Sequence, residues 1–392
     1  MNIVIFTHPE FSSSQSMPRF ARMLAEGMKN RGHQVEIWSP RPQFYGLKFP
    51  QVFRKWLGYL DQYILFPVEV RNRLKTRADD TLFVFADQAL GPWIPLVADR
   101  PHVIHCHDFL AQRSALGEIS ENPTSWTGKR YQAYIRRGYR KGKNFISVSN
   151  KTNNDLHQFL ESVPSFSEVV YNGVNALYKP GHTQASRIVL SDKFTIDLTQ
   201  GYLLHVGGNE WYKNRKGVVE IYDAWRRIYN RTLPLLLIGH EPTSDIRQMA
   251  EASTFKNDIH FVSGVEDQLL VHAYRGASVF LFPSLAEGFG WPIAESMACG
   301  CRVLTTNEAP MTEVAGKAAE FIPRKPLNGK ASQKWAEEAA ARVEKILNES
   351  DQERLAFINE GFETIKRYNV EVATNRIGKI YETVLDTYSC SK

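Results

Sequence analysis

The sequence is poor in cysteine. Four residues, Cys106, Cys299, Cys301 and Cys390, are too few in a chain of 392 for a disulfide framework. Cys299-Gly-Cys301 lacks the second ligand pair that a zinc site needs, so reduced thiols are expected. No apolar run reaches roughly 18 residues, which excludes an ordinary membrane-spanning helix. The opening Met1 to Phe6 has neither a basic leader nor a small-residue cleavage site and reads as the first buried strand of a cytoplasmic protein. Low-complexity tracts are absent, and 43% hydrophobic with 23% charged residues is a globular composition. No Asp-x-Asp triplet stands in a suitable loop: Asp79-Asp80 precedes a strand and Glu266-Asp267 suits a helix start. No required metal is expected.

What is present is a basic excess, 48 Lys and Arg against 42 Asp and Glu. It is uneven: Lys129, Arg130, Arg136, Arg137, Arg140, Lys141 and Lys143 crowd one stretch. Three readings stay open for that stretch, namely a solvated helix face, a contact with membrane or lipid phosphate, and a nucleic-acid patch. No nucleic-acid motif accompanies it. A cytoplasmic protein with peripheral contact at the inner membrane surface is compatible with all of this.

A chain of this length exceeds one ordinary core, so two domains with a site in the cleft between them are expected. A strand at Ile3 to Phe6, a helix over about Pro18 to Asn30 and a strand at Val35 to Trp38 form a βαβ unit. Apolar runs at Leu82 to Phe85, His102 to Cys106 and Phe145 to Val148 continue it. After a hinge near residue 180 the pattern restarts at Tyr202 to Val206, Pro234 to Ile238, Ile259 to Val262, Val279 to Phe282 and Arg302 to Thr305. The fold class is therefore α/β, with two doubly wound parallel sheets, an N-terminal domain of residues 1–180 and a C-terminal domain of 181–370. Residues 371–392 form a C-terminal helix expected to pack, in one arrangement, back on the first domain.

The densest chemistry lies in Pro283-Ser-Leu-Ala-Glu287-Gly-Phe-Gly290-Trp-Pro292-Ile-Ala-Glu295. Pro292 opens a helix that Gly300 closes, so Gly288 and Gly290 precede a helix N-terminus. Free amides and the positive dipole end make that terminus an anion site, and glycine lets a phosphate approach. Glu287 and Glu295 flank the loop, one placed to face a sugar and the other a ribose.

This block resembles the E-x7-E signature of the retaining glycosyltransferases of family four, which have the GT-B fold of two facing Rossmann-like domains. The resemblance implies that Glu287 contacts a donor sugar, that Glu295 binds the nucleotide ribose, and that amides of Gly288, Phe289 and Gly290 hold sugar and phosphate. A second matching stretch is Leu204-His-Val-Gly207-Gly208-Asn-Glu-Trp-Tyr-Lys213-Asn-Arg215-Lys216-Gly217. Gly208 stands where the family has arginine, and the loop is about three residues longer than usual. Lys216 fits the helix register and is preferred as the diphosphate contact, with Lys213 and Arg215 as substitutes. In the first domain, His105-Cys-His107-Asp108 resembles the strand end beside the donor sugar. A sugar contact, a structural role and a metal pair all stay open for His107. The family's Gly-Gly pair corresponds to Gln15-Ser16, which with Asp108 fall on the acceptor side.

The resemblance implies a metal-independent hexosyltransferase without cofactor. Its donor would be a nucleotide-diphosphate sugar of UDP, GDP or ADP type, its acceptor a glycan, lipid-linked or small molecule, and no nucleic acid is involved. Competing readings are a sugar-nucleotide epimerase of the same architecture, a glycan phosphorylase and a binding protein that transfers nothing.

Overall fold

The computed structural model describes residues 1–11 and 16–390, with Ser16 and Gln51 as backbone alone. The chain divides into two units, Met1–Tyr171 with Glu371–Lys392, and Asn172–Val370. The helix Val370–Cys390 thus belongs almost wholly to the first unit.

In the first unit six strands pair in parallel: β1 (Asn2–Phe6), β2 (Gln34–Trp38), β3 (Leu82–Phe85), β4 (His102–Cys106), β5 (Asn144–Ser147) and β6 (Phe166–Val169), ordered β2-β1-β3-β4-β5-β6. Parallel pairing requires crossovers, and the crossing helices bury both faces of the inner strands. Every residue of β3 and β4 is accordingly buried. Phe6, Phe83, Phe85 and Trp93 fill one layer. Ile3, Ile5, Leu24 and Val84 fill the other, which Ile377, Ile380 and Tyr381 of the last helix close. Gly27 allows that closure, since a Cβ there would stand 2.7 Å from Thr374 Cγ2.

The second unit repeats the scheme with β7 (Leu203–Val206), β8 (Leu235–Ile238), β9 (Ile259–Val262), β10 (Val279–Phe282), β11 (Val303–Thr306) and β12 (Ala319–Ile322), ordered β12-β11-β10-β7-β8-β9. The edge strands β6 and β12 are additions to the expected set. In each sheet the winding reverses once, between β1 and β3 and between β7 and β10. Loops leaving the carboxyl ends of such a strand pair run to opposite faces and open a crevice.

Between β2 and β3 the chain forms a long helical arm: helix Gln51–Leu60, a π turn Asp61–Leu65 and helix Phe66–Leu74. Buried Asp61 anchors it by accepting the N–H groups of Phe44 and Tyr45, both at 2.9 Å.

The helix Trp126–Tyr139 lies against the 3-10 helix Gln88–Leu96 through two glycine backbones. A Cβ on Gly138 would stand 2.0 Å from the Gly91 carbonyl oxygen. Gly138→Ala is therefore expected to cost about 1–3 kcal/mol in urea unfolding through overpacking. Gly329→Ala, in open space at a helix start, should stay within about 0.5 kcal/mol of the parent.

Candidate functional site

In the second unit the loops after β7 and β10 meet where the winding reverses. Three contacts fasten them. Leu285 N–H donates to the Tyr212 carbonyl at 2.7 Å. Asn214 Nδ2 donates to the Pro283 carbonyl at 2.9 Å. Lys213 Nζ donates to both oxygens of Glu287, at 2.8 and 3.0 Å.

Asn214 explains the local fold. It holds a left-handed conformation, φ 52°, at the N-cap of helix Arg215–Tyr229, and its Oδ1 accepts the Gly217 N–H at 3.2 Å. A Cβ on Gly217 would fall 2.4 Å from the Asn214 amide, so this cap needs glycine at its third position. The turn directs Lys213 inward, with its ammonium 5.2 Å from the Phe282 ring centre. The Lys213 and Glu287 side chains are 15% and 8% exposed.

The remaining expected basic residues go elsewhere. Lys216 pairs with Asp245 at 2.6 Å on the surface, both about half exposed. Its place at the second helical position turns it away from the loop after β10, so the structure brings Lys213, not the preferred Lys216, to Glu287. Arg215 is buried, donating to Asn209 Oδ1 and the His240 carbonyl and lying over the Phe261 ring. Burial lowers its pKa.

Gly290 caps helix Trp291–Ala298 with φ +103°, a conformation that favours glycine, and Pro292 follows in the first turn. Glu287 and Gly288 lie in the loop just before that N-terminus. The Phe289 side chain is buried against Tyr368, ring centres 5.4 Å apart. Glu295 accepts the Tyr274 hydroxyl at 3.0 Å. Burial, then the Glu295 charge, push the Tyr274 pKa up, so the phenol stays a donor. Gly207 takes the next place inward: its amide donates to the Ile238 carbonyl at 3.0 Å, and a Cβ on it would approach Lys213 Cδ at 3.5 Å. Over Gly208 folds the Glu210 carboxylate, which would lie 2.3 Å from a Cβ there.

The first unit has a corresponding arrangement. His8, after β1, bonds Asp87, after β3, at 2.8 Å. Burial raises the Asp87 pKa, but the hydrogen bond from His8 and the nearby His8 and His107 rings outweigh it and hold the carboxyl below its ordinary value. His107 follows β4, with its Nε2 2.9 Å from the Ala86 carbonyl. A carbonyl only accepts, so Nε2 carries the proton and Nδ1 is the acceptor. Burial lowers the His107 pKa and keeps the ring neutral. His105 instead faces the Tyr381 hydroxyl at 2.7 Å, so the two histidines do not converge on one point. Asp108 takes the Leu110 N–H at 3.0 Å and shapes the turn. A cavity of about 430 Å³ beside β1 and β2 is lined by Thr7, Glu10, Arg22, Ser39, Arg41 and Arg73. Gln15 lies outside the described residues, and Ser16 is described by its backbone only.

The His8–Asp87 contact and the Asn214 cap were not legible from sequence. For Asn214 a signal existed, since Asn followed three residues later by Gly reads as a cap.

Comparison with known proteins follows the same division. The description "Glycosyl transferases group 1" matches residues 186–364 and "Glycosyltransferase Family 4" matches residues 17–176. Escherichia coli O-antigen chain mannosyltransferase B is 33% identical over 153 residues, 36% of this chain and 40% of that protein. A phosphatidyl-myo-inositol mannosyltransferase of Mycobacterium tuberculosis is 27% identical over 177 residues, 43% of this chain and 44% of that protein. The matched region thus spans about two fifths of the length of these relatives. The crystal structure of Anabaena HepE with UDP and glucose superposes with a TM-score of 0.71 at 14% identity, covering 98% of this chain and all of that one. The architecture is therefore GT-B, two Rossmann-like domains. With the mannosyltransferase relatives, the two family matches support a protein like those of glycosyltransferase family four.

Burial holds the His105 and His205 pKa values down to about 3. An unfolded histidine titrates near 6.5, so unfolding takes up protons below that pH. The stability these neutral rings supply is complete above pH about 6.5 and is lost as pH falls toward about 3. The urea midpoint is expected to fall between pH 6.5 and 5, and His205→Gln should flatten that fall; a midpoint independent of pH in the parent chain would contradict it.

Proposed function

We propose that this chain transfers a hexosyl unit, with retention of anomeric configuration, from a nucleotide-diphosphate sugar to a glycan, lipid-linked or small-molecule acceptor. No metal or cofactor takes part. The observation that carries this reading is the Lys213–Glu287 pair at the β7/β10 crevice, directly before a glycine-capped helix N-terminus.

Cleaving a glycosyl phosphate leaves a dianion beside an oxocarbenium-like carbon, so fixed positive charge near the leaving group lowers the barrier. An ammonium has three donors and Glu287 occupies two of those on Lys213, leaving one for a phosphate oxygen. The positive end of helix Trp291–Ala298, with the glycine loop that leads into it, favours the rest of the diphosphate charge. Glu295, steadied by Tyr274, accepts the ribose hydroxyls. Glu287 orients Lys213 and the sugar and is not a nucleophile, because retention here comes from acceptor attack on the face the nucleotide leaves. In the first unit His107 Nδ1 offers an acceptor for a sugar hydroxyl, and the arginine-lined cavity beside β1 and β2 suits an acceptor bearing negative charge.

Calorimetry with UDP, GDP and ADP in the presence of chelator is expected to show binding of one of them. Lys213→Met and Glu295→Ala should each weaken it by about tenfold or more, the loss of one charge-assisted hydrogen bond. Glu287→Gln should lower turnover by about 100-fold with a smaller effect on binding. No nucleotide binding by the parent chain would refute the donor site, and sugar-nucleotide turnover without acceptor would favour an epimerase.

A further inference from the structure

The helical arm of the first unit presents an apolar face that its own fold leaves uncovered. Phe49, Val52, Phe53, Trp56, Ile64 and Val68 are all exposed, Val52 at 80% and Trp56 at 61%. On helix Gln51–Leu60, Val52, Phe53 and Trp56 are spaced three and four apart, and the π turn carries the stripe on to Ile64 and Val68. Of these, Phe49, Phe53, Trp56 and Ile64 line an apolar groove of about 450 Å³. Stable monomers seldom expose so large a contiguous apolar patch.

The face continues onto helix Trp126–Tyr139. Tyr59 stacks on Tyr131 with ring centres 5.7 Å apart, and the Tyr63 and Tyr131 hydroxyls bond at 2.6 Å. Trp126, 70% exposed, and Tyr134 extend the aromatic surface. Around it the charge has one sign. Residues 41–77 contain eight Lys and Arg and two Asp and Glu, and one of those acids, Asp61, is buried on backbone amides. Residues 129–143 contain seven basic residues and no acidic one. Arg54, Lys55, Lys129, Arg130 and Arg137 are exposed.

We propose that this face docks the chain on a bilayer containing anionic lipid, with the aromatic and aliphatic side chains at the headgroup boundary and the cations against lipid phosphate. Exposed tryptophan and tyrosine beside aliphatic residues, rimmed by cations, is what the interfacial zone selects. A second copy of the chain fits less well, because an isologous pairing would set one basic rim against another. Among the described residues no helix is long and apolar enough to cross the membrane, so the contact is superficial. The inference gives the basic run at 129–143 a partner and does not rest on the donor reading.

The test is flotation of the full chain with vesicles of phosphatidylcholine alone or with 30% phosphatidylglycerol, without nucleotide. The chain should float with the anionic vesicles at low salt, far less with neutral ones, and less as salt rises. Phe53→Ser with Trp56→Ser should reduce the bound fraction about tenfold or more, and Lys129→Gln with Arg130→Gln and Arg137→Gln several-fold. Both variants should keep the parent circular dichroism and nucleotide binding. No flotation with anionic vesicles overturns the proposal, and so does flotation that the serine variant leaves unchanged. A concentration-dependent dimer that the serine variant abolishes, without vesicle binding, would assign the face to self-association instead. Because nucleotide affinity is measured separately, failure here and failure of the donor site are distinguishable.

Discussion

The reversal of winding between β7 and β10 is the constraint on which the candidate site depends. Parallel strands buried on both faces cannot carry polar chemistry along their length, so it collects at their carboxyl ends. Most such loops run back over one face beside their neighbours. The loops after β7 and β10 lead to helices on opposite sides of the reversal, and where they meet Lys213 pairs with Glu287. The same logic operates between β1 and β3, where His8 meets Asp87. Each sheet thus generates one polar crevice from its strand order alone.

Holding that polarity costs free energy, and the surroundings show how it is offset. Removing one partner of a largely buried ion pair typically costs about 3–5 kcal/mol, so Lys213 and Glu287 constrain each other strongly. Hydrogen bonds around them, from the Leu285 amide to the Tyr212 carbonyl and from the Asn214 side chain to the Pro283 carbonyl, fix the loops before any ligand arrives. Preorganised charge of this kind needs little rearrangement during a reaction. Other buried titratable groups are held neutral or paired: burial keeps His105 and His205 uncharged and pushes the Cys299 and Cys301 thiols up to about 12, while buried Arg302 pairs with Glu349.

Much of the fold was legible because the central strands are continuous apolar runs and Gly290-Trp-Pro292 marks a helix start unmistakably. Two of the four edge strands, β6 and β12, were not. Phe166–Val169 is only partly buried along its length, and Ala319–Ile322 contains Glu320, whose carboxylate bonds Arg342 and Lys345. Four residues interrupted by a charged side chain carry too few apolar positions to show a period. In the candidate site, spacing singled out the loop after β10, but it could not say which of Lys213 and Lys216 lies against Glu287. That choice turns on the left-handed Asn214, which inserts a turn before the helix and reverses which lysine faces inward. Register counted along the chain assumes a smooth loop, and a single residue with positive φ breaks the assumption. His8 and Asp87 meet only through strand order, which no local pattern contains.

The charge distribution separates the chain's two kinds of surface. Residues 41–77 alone hold a basic excess of six, equal to that of the whole chain, so the remainder balances. A net charge spread evenly would serve solubility alone. Concentrated on one arm beside exposed Trp56 and Phe53, it creates a local field with an apolar surface at its centre. That arm is held by backbone contacts to Asp61, by the tyrosine cluster with helix Trp126–Tyr139, and by Phe66 and Val70, which pack into the core beside Phe6 of β1. The arm thus has an inner side, Phe66 and Val70, that belongs to the core, and an outer side, Val52, Phe53, Trp56, Ile64 and Val68, that does not. Substitutions on the face can alter what the protein binds while Phe6, Phe83 and Phe85 continue to hold the strands that position His8, Asp87 and His107.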